Sequence, residues 1–231
     1  MKKHFPLGII TFLLLAISSC SKKEDNPGKE TEPPTAKARF DNNNYGIYKG
    51  VFVGSSGFII VNINNDNSIS ASLTINGVKT SFTTTQTVQQ NQETSVVFKN
   101  GNDSFTFVVG ANGSDPIVKD IVISGHPGAA IVVIKETSTD LVRCYEGTFD
   151  GDDAGVFNAA VSGKWIRGLA FSTTYNKTDP VIGTVSGNNI DATGSAGGAD
   201  FSGSISGDNI SGSWNNSIAN KSGTWSGKQT L

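Results

Sequence analysis

The chain is poor in histidine and cysteine, has almost no net charge, and has a long apolar run only near its amino end. It contains 231 residues, two histidines and two cysteines, and its formal net charge is −2. This slightly acidic balance offers no basic surface to a nucleic-acid backbone, so we expect no nucleic-acid partner. Beyond the amino end, no segment is apolar over the roughly twenty residues that a membrane-spanning helix requires.

The first nineteen residues have the order of features that is typical of an export signal. Two lysines precede an apolar run from Phe5 to Ile17, which is too short to remain in a membrane as a helix. The residues Ile-Ser-Ser then lead directly to Cys20, and this motif resembles the lipobox of bacterial lipoproteins. The resemblance implies a signal peptide over residues 1–19, lipid on Cys20 and attachment to a membrane through that lipid. An ordinary secretory signal with a coincidental cysteine is the alternative.

The segment after Cys20 predicts a tether and a destination. Ser21-Lys22-Lys23-Glu24-Asp25 resembles the lysine-then-acid tract that directs lipoproteins of the Bacteroidota type to the outer face of the outer membrane. A merely solvated linker is the alternative. Three prolines and alternating Lys and Glu follow, without large apolar side chains between residues 26 and 38. We therefore predict a flexible, lipid-anchored tether over residues 20–44, on a protein that faces the cell exterior.

Removal of the signal peptide would change both the charge and the cysteine chemistry. The loss of Lys2 and Lys3 takes the net charge from −2 to −4. With lipid on Cys20, Cys144 is the remaining thiol, and no intramolecular disulfide can form. Since only Arg143 nearby would stabilise a thiolate, we interpret Cys144 as a small buried strand residue rather than a reactive nucleophile.

The remainder of the chain has the pattern of an all-β protein. Glycine provides 27 of the 231 residues, and apolar side chains alternate with polar ones. Ile69, Ala71, Leu73 and Ile75 would share one face of a strand, with hydroxyl residues on the other, before an Asn-Gly turn at residues 76–77. This pattern predicts antiparallel strands that are buried on one side and joined by tight hairpins.

A longer repeat indicates two related halves. The sequence Tyr-Lys-Gly-Val-Phe-Val-Gly at residues 48–54 returns as Tyr-Glu-Gly-Thr-Phe-Asp-Gly at residues 145–151. We predict an up-and-down meander in each half, over residues 45–137 and 144–231, that forms a β-barrel or a two-layer β-roll. The strand pattern resembles the lipocalin-like and small-barrel domains of bacterial surface lipoproteins, which implies a similar fold here.

Few residues are candidates for catalysis or metal binding. His126 would be the only histidine after processing, so a site with several imidazoles cannot be built, and its Pro and Gly neighbours indicate a turn. Asp150, Asp152 and Asp153 form a weak calcium candidate, because the matching turn of the first half has no acid and a full site needs six to eight oxygens. We expect no cofactor and no enzymatic activity; a hydrolase would need two carboxylates that converge in a cleft.

Aromatic side chains are the remaining candidates for ligand contact. Trp165, Tyr175, Trp214 and Trp225 could stack on sugar rings or apolar ligands, although core packing is the more common role of such residues. We predict a non-enzymatic surface lipoprotein that binds a small apolar ligand or a glycan. The alternative is a structural or adhesive envelope protein without a ligand pocket. An inward-facing cavity would favour the first prediction, and a filled core would favour the second.

Overall fold

A computed structural model describes Met1 and residues 32–196 and 198–231. Residues Pro33–Leu231 form one compact unit, and it is this unit whose fold follows. Apart from Met1, the predicted signal peptide lies outside the described residues, as do Cys20 and residues 21–31 of the predicted tether. Within the described part, no helix is long and apolar enough to cross a membrane.

The first half forms an eight-stranded antiparallel sheet in the spatial order β7-β6-β5-β4-β3-β2-β1-β8. Its edge strands, β7 and β8, lie side by side without backbone pairing, and β4 pairs with β5 only at Thr83 and Lys99. The sheet is therefore a nearly closed barrel, called here the first barrel. Its strands are β1 Gly46–Val53, β2 Gly57–Ile63, β3 Ile69–Ile75, β4 Val78–Thr83, β5 Thr94–Asn100, β6 Asp103–Val109, β7 Ile117–Val122 and β8 Ala130–Lys135.

The second half forms a closed eight-stranded barrel, in which β16 pairs with β9 and completes the ring. Consecutive strands are neighbours throughout, so this second barrel is an up-and-down meander. Its strands are β9 Arg143–Gly151, β10 Gly155–Ser162, β11 Trp165–Ser172, β12 Lys177–Ser186, β13 Asn189–Gly194, β14 Asp200–Ser206, β15 Asn209–Asn216 and β16 Lys221–Gln229. The predicted all-β meander of two related halves is confirmed.

The predicted hairpin after β3 shows how the sequence builds this fold. Ala71 and Leu73 are buried, while the other residues of β3 are half-exposed. Asn76 and Gly77 both have positive φ, at 49° and 79°, which is the conformation that a type I′ turn requires. The turn brings β4 back along β3, with Ile75 opposite Val78.

The sequence repeat corresponds to a repeated backbone contact. Tyr48 in β1 and Tyr145 in β9 are both fully buried. Two residues later, Gly50 and Gly147 lie so close to the neighbouring strand that a Cβ atom would meet the carbonyl oxygen of Val132 or Ser226 at 1.9 or 1.8 Å. Each strand therefore needs glycine at this point, which explains why the Tyr-x-Gly element occurs in both halves.

The two barrels differ in how their interiors are filled. The first barrel contains a cluster of large rings, four of which are the fully buried Phe82, Phe98, Phe105 and Phe107. The second barrel has alanine at several of its inward positions, namely Ala159, Ala170 and Ala192. Because alanine fills less volume than phenylalanine, these positions leave room for a cavity in the second barrel.

The barrels pack side by side through β1 and β8 of the first and β9, β10 and β11 of the second. Val51, Val142, Cys144 and Ala160 form a small apolar cluster at this interface. Beside it, Lys49 Nζ lies 2.5 Å from Glu136 Oε2 in a buried ion pair. Burial on both faces explains why every residue of β1 is buried.

Cys144 is buried, as predicted, and its thiol contacts the carbonyl oxygen of Gly50 at 3.4 Å. Burial raises the pKa of this thiol far above its usual range, so almost no thiolate forms at neutral pH. In a Cys20→Ser variant, Cys144 should not react with Ellman's reagent until denaturant is added, and one thiol should then appear. Rapid reaction in the native protein would contradict the burial described here.

The packed body begins earlier than the sequence predicts. Within the predicted tether, residues Ala38–Phe40 form a 3-10 turn and the Phe40 side chain is buried. The backbone N–H of Ala36 donates to Glu136 Oε1 at 3.0 Å, and that of Lys37 donates to Asn65 Oδ1 at 3.1 Å. The predicted tether boundary at residue 44 is therefore too late, because Phe40 supplies an apolar anchor and nearby backbone groups find partners on the first barrel.

Candidate ligand-binding site

A cavity of about 380 Å³ lies at one end of the second barrel. This end, called here the mouth, carries the four turns that join β9 to β10, β11 to β12, β13 to β14 and β15 to β16. The lining residues are Phe149, Asp153, Ala170, Ser172, Tyr175, Lys177, Asp179, Ala199, Phe201, Trp214, Asn216, Ala219 and Lys221. The volume lies within the range of roughly 300–1,000 Å³ that is typical of small-molecule sites.

The floor of the cavity is apolar and its rim is polar. Phe149, Phe201 and Trp214 point inward from β9, β14 and β15 and belong to the barrel core. Charged and hydroxyl groups lie above them, near the turns. This distribution follows from strand geometry, because inward positions deep in a barrel exclude water while positions at the strand ends reach it.

Trp214 is held in one orientation. Its indole Nε1 donates to the carbonyl oxygen of Asp150 at 3.1 Å, and its ring meets that of Phe149 edge to face at 6.1 Å. A Cβ atom on Gly223 would lie 2.5 Å from the indole nitrogen, so glycine at that position makes room for the ring. The floor is thus preformed, which lowers the entropy cost of binding.

The four predicted aromatic candidates separate into three environments. Trp214 and Tyr175 line the cavity. Trp225 is buried deeper in the barrel, where its ring centroid lies 5.1 Å from that of Phe157, so it packs the core as the alternative interpretation held. Trp165 is 52% exposed and lies beside the turn at the opposite end of the barrel. Only two of the four candidates therefore share one site.

Tyr175 and Lys221 contact each other at the rim. Lys221 Nζ donates to the phenolic oxygen of Tyr175 and also lies 4.5 Å from the centre of its ring. The hydrogen bond to Tyr175 is the main cause that raises the pKa of Lys221, with nearby Asp152 and Asp153 adding to it. Lys221 therefore carries a positive charge at the rim at neutral pH.

The acidic turn that we considered for calcium organises the backbone of the mouth. Asp150 Oδ1 accepts from Gly151 N at 2.8 Å, and Asp152 Oδ2 accepts from Ser222 N at 2.9 Å. Asp153 Oδ1 accepts from Ala154 N and from the Ser172 hydroxyl. Among the described residues, no group of three or more His, Cys, Asp or Glu side chains is placed to hold a metal ion. The three carboxylates instead accept hydrogen bonds from the turn and its neighbours.

The matching end of the first barrel is covered. Phe52, the counterpart of Phe149, meets the ring of His126 edge to face at 5.5 Å. His126 Nδ1 lies 3.1 Å from the Ser55 hydroxyl oxygen, and the neighbouring Ile123 is buried in the core. His126 thus lies in the segment between β7 and β8, which packs over this end of the first barrel.

Sequence reasoning did not identify the lysines or the small residues of the mouth. Lys177, Ala199 and Lys221 lie in different hairpins, and nothing in their local sequence separates them from ordinary turn residues. The inward positions of Phe149 and Phe201 could have been found from strand alternation. That these two side chains meet at one end of the barrel could be known only from the strand order of the closed barrel.

Comparison with known proteins finds no matching family model, no matching curated protein and no matching solved structure. The resemblance to lipobox proteins and to lipocalin-like barrels therefore stays a prediction.

Proposed function

We propose that this protein is a lipid-anchored protein of the outer membrane that binds a small, largely apolar ligand at the mouth of its second barrel. The observation that carries the proposal is the preformed apolar floor of Phe149, Phe201 and Trp214 beneath a polar rim. Convergence of apolar side chains in one cavity with a few polar groups is typical of small-molecule sites. The lipobox-like residues before Cys20 support the anchor, and the following Lys-Lys-Glu-Asp tract supports exposure to the cell exterior.

The proposal is binding rather than catalysis. A floor of this kind can exclude water from an apolar body and hold it by burial, at about 25 cal/mol for each Å² removed from water. The indole N–H of Trp214 already donates to a backbone oxygen. Its ring therefore contributes apolar surface, and directional contacts with a ligand fall to the side chains of the rim.

Filling the cavity should abolish binding of a neutral apolar probe. Ala199 lines the cavity and packs against the core, so Ala199→Phe should place a ring in the space that a ligand would occupy. We expect the affinity for N-phenyl-1-naphthylamine to fall at least about tenfold, measured by the rise in its fluorescence on binding.

The matched control is Ala196→Phe. Ala196 is an exposed residue between the same two strands and does not line the cavity. This variant should bind the probe like the wild-type protein, and both variants should keep the wild-type circular dichroism spectrum. Equal affinity in Ala199→Phe, or no probe binding by the wild-type protein, would favour the structural or adhesive alternative.

A further inference from the structure

We propose that the ligand of the second barrel is a small amphipathic acid, whose apolar body lies on the floor and whose carboxylate lies at the rim with Lys177 and Lys221. This inference rests on the proposed function, because it assigns a chemical class to the ligand of the same cavity. The evidence for it is the set of charged side chains at the mouth and the hydrogen bonds that these side chains already make.

Neither lysine of the rim forms an ion pair with a described carboxylate. Within the described part of the chain, Lys49 and Glu136 form the only ion pair. No described carboxylate is therefore within ion-pair distance of Lys177 or Lys221, although both residues line the cavity. Two cations beside an apolar floor match a ligand with an acidic end and an apolar body.

The two acids of the rim are engaged by the protein itself. Asp153 Oδ1 accepts hydrogen bonds from the backbone N–H of Ala154 at 2.8 Å and from the Ser172 hydroxyl at 2.9 Å. Asp179 Oδ1 accepts from the backbone N–H of Ala196 at 2.7 Å. Both carboxylates therefore hold the turns around the mouth.

Tyr175 positions one of the two cations. Lys221 donates to its phenolic oxygen and lies over its ring, and both groups border the cavity. The partner is a neutral phenol, and Asp152 and Asp153 act on Lys221 only from beyond ion-pair distance. An ammonium group has three donors, and those not used by Tyr175 can bind a carboxylate of the ligand.

The test compares two probes with the same apolar body, naphthalene-2-carboxylate and naphthalene-2-carboxamide, on the purified full-length protein. The wild-type protein should bind the carboxylate more tightly, because only the carboxylate gains charge-assisted contacts at the rim. Lys177→Met and Lys221→Met should each weaken carboxylate binding about fivefold, the size typical of a partly exposed ion pair. Binding of the carboxamide should change less than about twofold.

Lys164→Met is the matched control. Lys164 lies in the turn between β10 and β11, at the opposite end of the barrel, and should leave the affinity for both probes unchanged. Added salt should weaken binding of the carboxylate and leave that of the carboxamide unchanged. Equal wild-type affinity for the two probes would overturn the assignment of an acidic ligand while the cavity proposal stands. Failure of both probes to bind would overturn both proposals.

Discussion

Replacing Glu136 with alanine is expected to lower the free energy of unfolding by about 3–5 kcal/mol, because it leaves the buried ammonium group of Lys49 without its counter-charge. Glu136 has no exposed side-chain surface, and Oε2 lies 2.5 Å from Lys49 Nζ. The same carboxylate accepts the backbone N–H groups of Ala36 and Val142, each at 3.0 Å. One side chain therefore joins β1, the amino-terminal segment and the connection between the two barrels. Urea unfolding followed by circular dichroism measures the loss.

The control for this prediction removes both charges. Lys49→Met with Glu136→Leu buries two apolar side chains and should recover part of the stability, since no uncompensated charge remains. The recovery should be incomplete, because the N–H groups of Ala36 and Val142 still lose their acceptor. A loss below about 1 kcal/mol in Glu136→Ala would show that water reaches Lys49 in the native protein.

Gly147→Ala is expected to cost about 3 kcal/mol or more of unfolding free energy. A Cβ atom at this position would lie 1.8 Å from the carbonyl oxygen of Ser226 and 2.5 Å from the Cα atom of Gly227. Both are backbone atoms, so no side-chain rotation can relieve the clash, and β16 must move away from β9. This pair of strands closes the second barrel, so the substitution should also weaken probe binding at the mouth.

Gly128→Ala is the matched glycine substitution. No atom lies within 4 Å of a Cβ built at Gly128, and the φ of this residue is not in the left-handed region. The free energy of unfolding of the Gly128→Ala variant should therefore stay within about 0.5 kcal/mol of wild type. Gly50→Ala should behave like Gly147→Ala, because a Cβ there would meet the Val132 oxygen at 1.9 Å. A tolerated Gly147→Ala variant would contradict the close approach of β9 and β16.

Much of the fold could be predicted because local patterns determine it. Alternation along Ile69–Ile75 indicates a strand, and Asn76-Gly77 indicates the turn that follows. The Tyr-x-Gly repeat indicates two related halves, and the structure explains the repeat by the close strand contact at Gly50 and Gly147. The choice between a closed and a nearly closed barrel was not predictable, because it depends on pairing between β16 and β9, whose residues are far apart in sequence.

The candidate site was only partly predictable, for the same reason. Trp214 and Tyr175 could be named from the sequence because aromatic side chains can stack on ligands. Nothing in the local sequence distinguishes them from Trp165, which lies at the opposite end of the barrel. Lys177 and Lys221 became candidates only when four hairpins placed them around one cavity. The early start of the packed body was also missed, since the acceptors for the N–H groups of Ala36 and Lys37 lie on remote parts of the first barrel.

The most direct test of the proposed binding site uses the indole N–H signals of the three tryptophans in a ¹H–¹⁵N NMR spectrum. Trp214 lies in the floor of the cavity, and Trp165 lies at the other end of the same barrel. Titration with N-phenyl-1-naphthylamine should shift the Trp214 signal in a saturable manner and leave that of Trp165 unchanged, with assignment by Trp165→Phe and Trp214→Phe variants. A saturable shift of Trp165 without a shift of Trp214 would contradict the account, as would a spectrum that the probe does not change.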